Sequence, residues 1–126
     1  LRAIFALCFF SCFANSTTCF HTEAQAEEWN IKYGNLFKVE TTLNSGAYDV
    51  IAELPKSIDG QRFDSVSLFV SNLEKPTFFA TLSTYEDDGV TKVWFVTDHK
   101  NSQQHYLSFS YGTGCSMYVT LEVDFE

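Results

Sequence analysis

From residue 29 onward, apolar and β-branched residues recur at every second position, and turn-forming residues interrupt them about every 8–12 positions. Strand side chains alternate between two faces, so a period of two gives each segment one apolar and one polar face. A helix would need a sustained spacing near 3.6, which this part of the chain lacks. Residues 36–43 set Phe37, Val39, Thr41 and Leu43 against Lys38 and Glu40. Residues 47–54 align Tyr48, Val50, Ala52 and Leu54, and Asn44-Ser45-Gly46 before them makes a short hairpin loop. Pro55 ends that segment because it has no N–H to give a ladder. Beyond a loop turning at Asp59-Gly60, residues 64–71 align Val66, Leu68 and Val70. Residues 77–86 turn through Asp87-Asp88-Gly89 into 90–97. Residues 104–111 then turn through Gly112-Thr113-Gly114 into 115–125, where Met117, Val119, Leu121, Val123 and Phe125 share a side.

Seven or eight strands of this kind predict an all-β fold, an antiparallel β-sandwich, with a small β-barrel as the alternative. The sandwich is favoured because hairpin signals dominate and the strands differ too much for a uniform up-and-down barrel. No linker, internal repeat or second domain is legible.

The first residues read differently. Residues 3–14 form an apolar run broken only by Ser11. It is too short to span a bilayer, which takes about 20 residues, so no stable membrane span is expected. The run fits the apolar region of an export signal, with Arg2 as its positive start. Ala24-Gln25-Ala26 offers the small-x-small pattern at which such a signal is cut. Residues 1–26 are therefore expected to be a signal peptide with a helical apolar part, and 27–126 a single all-β domain. Ala14-Asn15-Ser16 is a second candidate for the cut. The choice decides the thiols. A cut after Ala26 leaves Cys115 alone of the four cysteines, whereas a cut after Ser16 keeps Cys19, which can then pair with Cys115. Residues 23–29 are the one stretch near this boundary that suggests a brief helix. The expected destination is the periplasm or the medium outside the cell.

Composition bears on partners. Eight Lys and Arg face sixteen Asp and Glu, a net charge of −8, which is the wrong balance for binding nucleic acid. The 17% aromatic content is too high for a disordered chain. An acidic exported domain is drawn towards basic partners, and the charge acts mainly on encounter and selectivity.

Catalytic chemistry finds little support. A cysteine nucleophile at Cys115 needs an adjacent base, and the glycine turn before it leads into a strand rather than to a helix N-terminus. Glu86-Asp87-Asp88-Gly89 lacks the alternating ligands of a calcium loop, and Asp98, His99 and His105 lack zinc spacing. No two acids are singled out for glycoside hydrolysis. The expectation is a non-enzyme with no cofactor and no metal.

One irregularity points to binding. Phe78-Phe79 and Val93-Trp94-Phe95-Val96 are apolar on both faces, and a strand of that kind is covered on both sides. In a two-layer fold the second cover is a loop, a partner or a ligand. Phe78, Phe79, Trp94 and Phe95 are the candidate binding residues, with Glu86, Asp87 and Asp88 as an acidic turn that steers a basic partner. The expected function is binding of a protein in the envelope or outside the cell, with a basic hydrolase or toxin as the class that the charge favours. A carbohydrate-binding module is the alternative, with Trp94, Tyr106 or Tyr111 stacking on sugar rings. A homo-oligomer that pairs its sheet edges or aromatic face with a second copy is the third reading.

Overall fold

A computed structural model describes residues 21–100 and 103–125. The apolar run 3–14, the position Ala14-Asn15-Ser16, and Cys8, Cys12 and Cys19 lie outside the described residues. Helix α1 (Glu23–Tyr33) and a 3₁₀ turn (Gly34–Leu36) precede β1 (Lys38–Asn44), β2 (Ala47–Leu54), β3 (Ser57–Ile58) and β4 (Gln61–Val70). There follow β5 (Phe78–Leu82), β6 (Thr84–Asp87), β7 (Val90–Asp98), β8 (His105–Tyr111) and β9 (Met117–Val123). The chain is mostly β, in two antiparallel sheets that do not close into a barrel, an arrangement consistent with a β-sandwich. One sheet has the order β1-β2-β7-β6; the other has the order β3-β4-β8-β9, with β5 also paired to β4.

The two-residue period decides which side chains meet. In the first sheet Val50 lies opposite Phe95 and Ala52 opposite Val93. In the second, Val66 faces Phe109 and Leu68 faces Leu107 across the β4–β8 ladder. These inner residues, with Leu54, Val70, Tyr111, Met117, Val119 and Val123, form one continuous core shared by both sheets. Phe37 packs on it with its ring 4.6 Å from that of Phe109. Leu43, placed by its period on the inner face, is instead exposed, near the hairpin tip at the end of an edge strand.

Two departures raise the strand number to nine among the described residues. The turn Asp59-Gly60 is closed by the two-residue β3. The single run 77–86 divides at Ser83, so that β5 pairs with β4 in one sheet and β6 with β7 in the other. That stretch passes from layer to layer.

The brief helix suggested over 23–29 is a longer one, Glu23–Tyr33. The Thr22 side chain caps it by accepting from the Gln25 N–H. An isolated helix of this length is marginal in water, and tertiary contacts hold this one. Trp29 packs edge-on against Tyr118 at 5.5 Å, with His21 against both rings. The Thr120 N–H of edge strand β9 donates to the Asn30 side-chain oxygen at 2.8 Å. Buried Tyr33 gives its hydroxyl to Asp59. The helix thus shields an edge that would otherwise offer open backbone groups. It also runs through the Ala26–Glu27 bond.

Cys115 follows the turn after β8 and is disulfide-bonded, while no other cysteine falls among the described residues. Gly112 in that turn has φ +90° and donates its N–H to the Arg62 carbonyl at 2.8 Å. A Cβ there would lie 2.5 Å from the Gln61 side-chain oxygen. Gly112→Ala should therefore lower stability by about 1–3 kcal/mol in urea unfolding. Gly114→Ala has open space around its Cβ and meets the same kind of backbone strain at φ +71°, so its loss should be similar, because the exposed Gln61 side chain can turn away from a Cβ at Gly112.

Candidate functional site

β7 runs through the interior of the four-stranded sheet, and its nine residues alternate sides. Thr91, Val93 and Phe95 point into the core, while Trp94 and Val96 point out. Phe95 is 8% exposed and lies parallel to the His105 ring, so it is a core residue. Trp94 is 53% exposed. The register sets Ile51 beside Trp94, Asp49 beside Val96 and Glu53 beside Lys92. On the other flank Tyr85 lies opposite Lys92. The outer surface of this sheet therefore has an apolar centre of Trp94, Val96 and Ile51.

Charge surrounds that centre. The Trp94 indole N–H donates to Asp49 Oδ1 at 3.2 Å, which fixes the ring's direction. Lys92 reaches Asp87 at 2.9 Å and Glu53 at 3.5 Å, and its hydrogen bond to Asp87 holds its ammonium pKa above the ordinary value. Lys38 pairs with Glu40 at 2.9 Å, which raises its pKa in the same way. Four acids, Glu40, Asp49, Glu53 and Asp87, thus share this face with two engaged lysines.

The acidic turn lies at one end of the same sheet. Glu86 accepts from the Thr91 hydroxyl at 2.7 Å and pairs with Lys56 at 3.2 Å, so its carboxyl is held below the usual range. Asp87 is engaged by Lys92. Asp88 is exposed at φ 52° beside Gly89.

The four aromatic candidates do not form one patch. Phe78 and Phe79 are each 55% exposed, but they face opposite ways. Phe78 lines a cleft of about 320 Å³ with Val96, Phe95 and His105, where β5 and β7 part. Phe79 lies on the outer face of the five-stranded sheet, its ring 5.0 Å from that of Phe69. Trp94 and Phe78 thus flank Val96, Phe95 is internal and Phe79 belongs to another surface. Among the described residues, none covers the outer side of Trp94, which stays about half exposed. Ile51 and Asp49 complete the patch and were not among the candidates. Their signal was the consecutive pair Val50-Ile51, which interrupts the alternation of residues 47–54.

Other candidates fall elsewhere. Tyr111 is fully buried and donates its hydroxyl to the Pro55 carbonyl at 2.8 Å, and burial raises its phenol pKa. It offers no surface for a sugar. Half-buried Tyr106 donates to Gln104 at 2.7 Å. His105 is buried, with ring nitrogens 2.9 Å from the Gln103 carbonyl and 3.1 Å from the Thr97 hydroxyl. His99 stacks on Tyr48. The seven-residue β8 separates His105 from the glycine turn before Cys115, a distance of roughly 20 Å at about 3.3 Å per residue. Among the described residues no group of three or more His, Cys, Asp and Glu could hold a metal ion. No described helix is long and apolar enough to cross a membrane.

Comparison of the chain with protein-family models, with curated proteins and with solved structures finds no match.

Proposed function

We propose that this is an exported, non-catalytic β-sandwich domain that binds a protein partner in the cell envelope or outside the cell. The partner docks on the outer face of the four-stranded sheet. The observation that carries this reading is Trp94, half exposed on an interior strand of the sheet and hydrogen-bonded to Asp49. A large aromatic side chain already ordered before binding loses little freedom on contact, and tryptophan is enriched among residues that dominate interfaces. The surrounding acids favour a basic partner, such as a basic hydrolase or toxin. The separation of His105 from Cys115, which is disulfide-bonded, supports the non-catalytic part.

The domain is proposed to leave the cytosol behind an export signal cut between Ser16 and Thr17. That cut, unlike one after Ala26, leaves α1 whole, together with its Thr22 cap and His21. It also fits a cysteine that forms a disulfide in an oxidising compartment. The mass of the exported protein should correspond to a chain beginning at Thr17 and lacking free thiols. A mass beginning at Glu27 would exclude this cut.

Affinity capture from an envelope extract tests the binding reading, followed by reconstitution with the purified partner. The complex should form with the wild-type domain, fail with Trp94→Ala and weaken as salt rises, because exposed charges are screened beyond about 8–10 Å. A partner held equally well by Trp94→Ala would remove this face from the mechanism.

A further inference from the structure

The outer face of the five-stranded sheet carries a different chemistry. Its register aligns Thr81 with Ser67, Ser67 with Ser108, and Ser108 with Thr120. Four hydroxyls therefore stand in one row across β5, β4, β8 and β9, spaced by the strand separation of about 4.8 Å. A second row continues through Ser65, Ser110 and Tyr118. On the opposite flank Phe79, Phe69 and Tyr106 make an aromatic row. Ser67, Ser108, Ser110 and Thr120 line an open trough of about 420 Å³ together with Phe69, Phe79, Leu73 and Tyr118. Tyr118 is braced by Trp29 of the helix.

We infer that this trough is a binding site for a neutral oligosaccharide laid across the strands, separate from the docking face of the other sheet. Three observations select that occupant. A hydroxyl both donates and accepts, which is what a polyol presents in return. Thr120 donates to Ser108 at 3.2 Å, while Ser65, Ser67, Ser110 and Thr81 have no side-chain partner among the described residues and can face a ligand. Charge is nearly absent. Across all three rows Glu122 is the one ionisable carboxyl or amine, on a protein of net charge −8. An anionic polymer would find no amine in these rows and a basic peptide a single carboxylate, and serine is depleted in protein interfaces. The rings bordering the row supply flat apolar faces for the C–H side of a sugar, as aromatic side chains in ligand sites do. The volume also lies within the range of about 300–1,000 Å³ usual for small-molecule sites.

Titration calorimetry on the exported protein with cellohexaose, maltohexaose and hexa-N-acetylchitohexaose tests the proposal. At least one should bind at millimolar concentration or below, with an affinity indifferent to added salt. The double variant Ser67→Ala/Ser108→Ala removes hydroxyls without touching the core and should weaken that binding about tenfold or more. Phe79→Ala, on an exposed ring, should weaken it as well, and Trp94→Ala should leave it unchanged. No binding by any of the three hexaoses would overturn the inference. So would binding that both the serine and Phe79 variants keep, or binding that Trp94→Ala abolishes.

Discussion

Phe109→Ala should cost about 3–5 kcal/mol of folding stability, enough to leave much of the protein unfolded if its total lies near the low end of the usual 5–15 kcal/mol. Phe109 has no exposed surface. It lies on β8, between β4 and β9, facing Val66 on one side and Val119 on the other. The Phe37 ring covers it at 4.6 Å. Truncation would remove a large apolar group and leave a cavity whose lining comes from three strands, each fixed by its own ladder. Such a wall collapses poorly, which places the cost towards the upper part of that range. Urea unfolding followed by fluorescence would measure it. A loss below about 1 kcal/mol would mean that the shared core is not the main source of stability.

Trp94→Ala, at an aromatic of comparable size in the other sheet, should behave in the opposite way. Its side chain is half exposed, so folding stability should fall by less than about 1 kcal/mol. Partner affinity should fall by about 2–4 kcal/mol, or roughly 30- to 1,000-fold. Combining it with Phe79→Ala should still leave a folded domain, because Phe79 is equally exposed on a different surface. Paired unfolding and binding curves on the same preparations would check both numbers. If each truncation instead cost about 3–5 kcal/mol of stability, both rings would be core and the interface reading would end.

The contrast between these two residues marks what was legible in the chain. At residues 117–123 the alternation is clean, and at 47–54 it is broken only by Ile51; together they name the buried residues Val50, Ala52, Leu54, Met117, Val119 and Val123. In Val93-Trp94-Phe95-Val96 it is silent, because four consecutive apolar residues do not say which two face water. Only pairing with β2 assigns the sides. The division at Ser83 escaped for a related reason. Alternation gives faces but not partners, and Thr81-Leu82-Ser83-Thr84 contains no glycine or proline to mark a change of sheet. Helix α1 was read as shorter because its apolar residues are scattered around it, and docking on β9 rather than an apolar stripe stabilises it. The serines at 65, 67, 108 and 110 were visible as letters two apart. That they meet in rows depends on a register that includes a shift between Phe63 and Ser65, which no local pattern announces.

The stretch from Phe78 to Asp87 has a mechanical meaning as well as a topological one. Because it belongs to both sheets, the layers are joined by backbone and not only by side-chain contact. Their outward surfaces look away from each other across a core about 10 Å thick. Whatever sits on one surface is therefore carried back to back with whatever sits on the other, at a fixed gap. Were both proposed sites occupied, their ligands would be held on opposite sides of one domain with no hinge between them.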